Sequence, residues 1–223
     1  MMSKTRAITA TILVASLASG CSVISQVNNA RSAYQGVQAY KTAKGMADAQ
    51  PAFENASAFS VTAKLMPRDE EKAAEIEQTF TQLAIEETLK TAEKLDLDLA
   101  YCEITCPADT VRIQFNEKGR EGLVEKFAMG DQIGGELYLT KNGEILEQST
   151  LDVGQDYASV AQSLTTAINL RLVKTAQADT QKSYQNGQMS DEEAARKSEA
   201  IMDLMNGDNE LDGPLIELLK DKT

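Results

Sequence analysis

The chain has 223 residues and is acidic, with 34 Asp and Glu against 22 Lys and Arg and a net charge of −12. That charge repels nucleic acid and anionic lipid headgroups, so no nucleic-acid partner is expected. Histidine and tryptophan are absent, which removes every mechanism that needs an imidazole base or ligand from this chain alone.

The first 20 residues have the parts of a secretory signal. Lys4 and Arg6 make a cationic start, and Ala7 to Leu17 is an apolar run. The run is shorter than the roughly 20 residues needed to span a bilayer. It ends in Leu17-Ala18-Ser19-Gly20-Cys21. A plain secretory signal with an incidental cysteine would also fit. With small residues running into Gly20-Cys21, however, the stretch resembles the lipobox of bacterial lipoproteins. The resemblance implies that the signal is cut before Cys21 and that Cys21 carries the lipid (diacylated, then acylated on its amine with a chain such as palmitate). The family usually has Leu three residues before the cysteine, where this chain has Ala18. Its inner-membrane retention residue is Asp after the cysteine. This chain has Ser22, so the resemblance implies an outer-membrane lipoprotein with its domain facing the periplasm. The mature chain would keep 203 residues, 20 basic and 34 acidic, for a net charge of −14.

Cys102 and Cys106 then remain. The compartment implied by the signal is oxidising, which favours a structural disulfide. A metal or redox pair is the alternative. The spacing is C-x-x-x-C, and no other Cys or His is present to complete a zinc site, so no metal or other cofactor is expected.

Residues 21–57 read as a lipidated tether. Val23, Ile24, Val27, Ala30, Tyr34, Val37 and Tyr40 recur at helical spacing, interrupted by Gly36 and closed by Pro51. The segment serves either as a spacer or as a partner-binding helix. A domain over 58–178 follows. Phe59, Val61, Ala63 and Leu65 alternate with polar residues as a half-buried strand ended by Pro67. Asp69, Glu70 and Glu71 open a helix at the end that the macrodipole makes favourable for anions. Its apolar stripe is Ala73, Ile76, Phe80 and Leu83, then Ile85, Leu89 and Ala92.

Leu97, Leu99 and Tyr101 alternate as a second strand, and Val111, Ile113 and Phe115 as a third. A Cys102–Cys106 bridge between them would close a tight hairpin. Residues 116–135 hold Gly119, Gly122, Gly130, Gly134 and Gly135. They match no phosphate-loop spacing and read as a mobile loop open to a partner. Asn142-Gly143 between apolar runs signals a type I′ hairpin, with Lys141 facing Glu144 and Leu139 facing Leu146. Asp156 caps a helix whose stripe is Tyr157, Val160, Ala161, Leu164, Ala167, Ile168 and Leu172. The expected fold is α+β: a mostly antiparallel sheet in the order β-α-β-β-β-β-α, with two helices on one face.

Residues 179–223 read as an acidic helical tail. Ser190 and Glu193 form a capping box. Asp208 to Gly213 resembles half of a calcium loop, but position twelve is Leu219 where a bidentate Glu is needed. The acidic pairs Glu70/Glu71, Glu86/Glu87 and Glu192/Glu193 fall on polar helical faces and read as solvated surface.

The element order resembles that of small periplasmic α/β domains on the curli-secretion and penicillin-binding-protein-activator lipoproteins. That resemblance implies protein contacts within envelope assemblies. The expected function is therefore non-enzymatic: a lipid-anchored accessory module that binds another envelope protein or associates with itself. The alternative is a periplasmic small-ligand or calcium-binding module.

Overall fold

The structure, a computed structural model, describes residues 49–67, 69–118, 133–154, 156–206 and 211–220. Cys21 and the tether to residue 48 lie outside the described residues, as do Gly119, Gly122, Gly130 and Asp208 to Glu210. The fold is α+β. Strand β1 spans Ala58–Lys64, and a 3-10 turn over Glu70–Lys72 leads into helix α1, Ala73–Lys94. Strands β2 (Ala100–Tyr101), β3 (Val111–Glu117), β4 (Ile133–Lys141) and β5 (Glu144–Gly154) follow. Helices α2 (Tyr157–Gln185), α3 (Asp191–Asn206) and α4 (Pro214–Lys220) complete the described chain.

The five strands lie in the order β2-β1-β3-β4-β5. The sheet is mixed rather than mostly antiparallel: β1 runs parallel to both β2 and β3, while β3-β4 and β4-β5 are antiparallel. The expected β2–β3 hairpin does not form, because β1 lies between those strands. The register explains how so short a connection manages this. Tyr101 at the end of β2 and Val111 at the start of β3 both pair with Phe59. Residues 102–110 therefore only step sideways across β1, by two strand spacings or about 10 Å. Cys102 N–H donates to Phe59 O at 2.9 Å at one end of the step, and Ser57 N–H donates to Asp109 Oδ2 at 2.9 Å at the other.

The alternation in β3 sorts its side chains as its pattern demands. Val111, Ile113 and Phe115 are buried, while Arg112 and Gln114 are exposed. The buried face of the sheet meets Ile76, Phe80 and Leu83 of α1 and Val160, Leu164, Ile168 and Leu172 of α2 in one core. Burying each such side chain contributes about 1.5–3 kcal/mol. Gly135 sits where a Cβ would come within 2.5 Å of both the Phe115 ring and Asn116 O, so the β3–β4 contact requires glycine there.

The stripe on α1 departs from its expected course after Leu83. Leu89 is exposed and Ile85 half-buried, while Thr88 and Thr91 face inward beside Ala92, which is buried as expected. Thr88 can be buried because its hydroxyl donates to Ala84 O at 2.6 Å. Thr79, Thr165 and Thr175 are buried on the same terms, bonding the carbonyls of Glu75, Ala161 and Arg171.

At the hairpin, Asn142 and Gly143 have φ of 54° and 81°, the pair of positive values a type I′ turn needs. Lys141 faces Glu144 as expected, but Leu139 pairs with Glu147 rather than Leu146. A bulge between Leu139 and Thr140 shifts the register. It leaves Leu146 exposed and aligns Glu147 with buried Leu139, while Ile145, opposite Thr140, is exposed on the near side of the bulge.

Asp156 caps α2 through Ser159 N–H at 2.7 Å, and the whole expected stripe from Tyr157 to Leu172 is buried. The helix continues unbroken through residue 178, the expected domain boundary, to Gln185. Residues on both sides of the 58–178 segment also join its core. Ala52 and Phe53 precede it, and Ile201, Leu211, Ile216 and Leu219 follow it. Phe53 N–H donates to Thr175 Oγ1 at 3.2 Å, and Leu211 N–H to Gln162 Oε1 at 2.6 Å.

Candidate interaction surface

Among the described residues, chemistry-bearing side chains gather in several places, and the first is a carboxylate–tyrosine cluster where β1 ends. Glu117 Oε2 accepts from Tyr157 Oη at 2.9 Å and from Met66 N–H at 2.6 Å. Glu77 Oε1 accepts from Leu65 N–H at 2.9 Å. Burial, with the nearby Glu117 charge, pushes the Tyr157 hydroxyl well above its ordinary range, so it stays a proton donor. These carboxylates take up backbone donors that β1 leaves unpaired just before Pro67. The period-2 reading of β1 carried no sign of them, because the partners come from three other elements.

The second place is the solvent side of β4. Tyr138 Oη donates to Glu136 Oε2 at 2.5 Å, and Lys118 Nζ lies 2.5 Å from Glu136 Oε1. Lys118, then Tyr138, hold the Glu136 carboxyl below its ordinary value. Glu136 and Tyr138 are half-buried, Lys118 is exposed, and the three groups satisfy one another. The acidic pairs singled out in the sequence stay on helix surfaces: Glu86 accepts from Gln82, and Glu87 from Lys90.

The third place is helical. Along α2 and α3 runs a groove of about 340 Å³, walled by Gln177, Gln181 and Tyr184 on α2 and by Ala194, Ser198 and Met202 on α3. Ile201 is buried between the two helices. Tyr184 is 51% exposed, Met202 55% and Met205 56%. Two contacts fasten the groove at its ends. Tyr184 Oη donates to Asp191 Oδ1 at 3.0 Å, and Gln177 Nε2 lies 3.8 Å from Met205 Sδ. Thioether and aromatic groups are adaptable apolar contacts, and both are common on protein-binding surfaces. The sequence carried a sign of the groove in Ile201, Met202 and Met205, which offer more apolar side chain than one narrow packing stripe uses.

Cys102 and Cys106 lie at bonding distance, with sulfurs 2.16 Å apart and Cα atoms 5.5 Å apart. The bridge sits inside the connection that steps across β1, with Ile104 exposed near its apex. Among the described residues no group of three His, Cys, Asp or Glu is arranged to hold a metal ion, and no helix is long and apolar enough to cross a membrane. The structure does not describe Asp208 to Glu210 of the half calcium loop. No protein-family model, no curated protein and no solved structure matches this chain.

Proposed function

We propose that this chain is a lipid-anchored, non-enzymatic envelope protein whose α2–α3 face receives a partner protein. The observation that carries the reading is the pair of exposed Tyr184 and Met202 in the groove, with Met205 exposed beside Gln177 at its end, on a strongly acidic chain. Large apolar side chains gathered along one groove mark contact sites more often than solvated surface. Gly20-Cys21 supports the anchor, since acyl chains at Cys21 would exceed the two signals that stable membrane attachment takes. The Ser22 reading places the domain in the periplasm under the outer membrane, where a disulfide such as Cys102–Cys106 persists. The partner is another envelope protein or a second copy of the chain. Glu117 Oε2 and Glu77 Oε1 accept from donors of the fold itself, which suits a structural role for that cluster.

A photo-crosslinking residue at Met202 and another at exposed Thr62 on the sheet test this in intact cells. Met202 should yield a discrete adduct and Thr62 none. Cys21→Ser should release the protein from the membrane fraction and weaken the Met202 adduct. Monomer alone from both probes, with wild-type protein on the membrane, would rule out the docking role.

A further inference from the structure

Beside the α2–α3 groove, α1 ends against the same two helices and leaves a second, smaller recess of about 260 Å³. Its lining divides by chemistry. Leu95, Ala176 and Ile201 are buried and form an apolar floor, with Ala200 beside them. Lys94, Arg196 and Lys197 line the recess as three cations. Asp96 is the one acidic residue of the lining, 4.0 Å from Arg196, and Thr180 adds a hydroxyl. The lining therefore carries two net positive charges in a chain whose net charge is −12.

Packing does not call for this arrangement. α3 reaches the core through Ile201, while the Arg196 side chain is 71% exposed and its pair with Asp96 is long. An exposed pair of that kind adds little stability. Asp179 lies near enough to Lys197 to feel its charge, but Asp179 does not line the recess.

We propose that this recess binds a small amphipathic carboxylate of the medium-chain fatty-acid class. The apolar body would lie on Leu95, Ala176 and Ile201, and the anionic head would be met by Arg196, Lys197 and Lys94. Charge complementarity selects the head, and the floor selects the body. The volume is below the range that takes drug-sized ligands, which sets the scale at a chain of several carbons. The recess does not depend on the lipid anchor, and it adjoins the docking groove through Thr180 and Ile201, which line both.

The probe is octanoate titrated into the full chain, observed through the methyl NMR signals of Ala176, Ala200 and Ile201. Octanol and inorganic phosphate serve as the matched uncharged and body-less probes. Octanoate should shift these methyls saturably. Octanol should bind at least about fivefold more weakly, the scale of one exposed charge contact. Phosphate should leave the methyls unmoved. Arg196→Glu with Lys197→Glu should abolish the octanoate shifts with the melting temperature retained, and Lys64→Glu, on β1, should change neither. Equal binding of octanol and octanoate, or methyls unmoved by octanoate in the millimolar range, would overturn the proposal. Should the double variant unfold, Arg196→Gln alone must still weaken octanoate about fivefold.

Discussion

Helices α2 and α3 lie against each other in one domain, yet they are built on different terms. α2 presents a buried face along most of its length, from Tyr157 to Ala176, and that face includes a buried arginine. Among the described side chains of α3, only Ile201 is fully buried. Residues of similar size meet opposite fates: Leu172 is sealed in the core, while Met202 and Met205 stand in solvent. The contrast separates side chains that hold the fold from side chains free to meet something else. It also says where substitutions should cost stability and where they should cost binding alone.

The sharpest difference centres on Arg171, which is 2% exposed. Its Nε donates to Glu147 Oε2 at 2.8 Å, Nη2 pairs with the other carboxylate oxygen, and Nη1 donates to Ala167 O at 2.5 Å. Arg171→Met should lower stability by about 3–5 kcal/mol, because it strands the Glu147 carboxylate under α2. Adding Glu147→Leu should recover most of that loss, since a filled apolar site replaces the pair. Urea unfolding of the two variants measures both. A single variant within about 1 kcal/mol of wild type would mean that the pair is solvated in practice.

Next in size is the direct comparison of the two helices. Leu172→Ala should cost about 2–5 kcal/mol through the cavity it opens. Met202→Ala should stay within about 0.5 kcal/mol, as exposed substitutions do. If Met202→Ala destabilised the domain comparably, α3 would be core and its groove would lose its claim as a contact site. The caps extend the comparison at smaller scale. Asp156→Ala removes the hydrogen bond to Ser159 N–H and should cost about 1 kcal/mol. Ser190→Ala removes the bond to Glu193 N–H at 3.2 Å. It should speed amide exchange in the first turn of α3 with a smaller effect on global unfolding, because few buried contacts depend on that turn.

What could be read in advance follows the same division. Period-2 and period-3.6 patterns identify β1, β3 and the α2 face, because those elements have one wet and one dry side. Alternation says which face a strand buries but not which strand lies beside it, and so β2 and β3 were expected to pair. The bulge was hidden because register counted outward from Asn142-Gly143 assumes no extra residue. The buried threonines and Arg171 read as polar in a composition-based pattern. Yet Arg171 stands in the run Leu164, Ile168, Arg171, Leu172 and Thr175, at core spacing throughout, and that placement was the available sign. The groove and the recess depend on what the tail leaves uncovered, a tertiary property with only the surplus of apolar residues on α3 to announce it.

The smallest effect tests the α2–α3 seam by pH. Asp179 sits half-buried on α2, and burial, then the charge of Glu54, raises its pKa above the ordinary 3.8, with Lys182 and Lys197 opposing. A carboxyl whose pKa is higher in the folded state binds its proton more tightly there, so its ionisation weakens the fold. That penalty is present above the folded pKa and fades as pH falls toward 3.8, where the carboxyl of the unfolded chain also takes up its proton. Asp179→Asn should therefore raise the melting temperature at pH 7, by less than Asp156→Ala lowers it, and the gain should shrink at pH 4. Asp203→Asn on the exposed side of α3 should leave the melting temperature within scatter at pH 7. A gain from Asp179→Asn that grew on acidification would reverse the sign and show that Lys182 and Lys197, rather than burial, govern this seam.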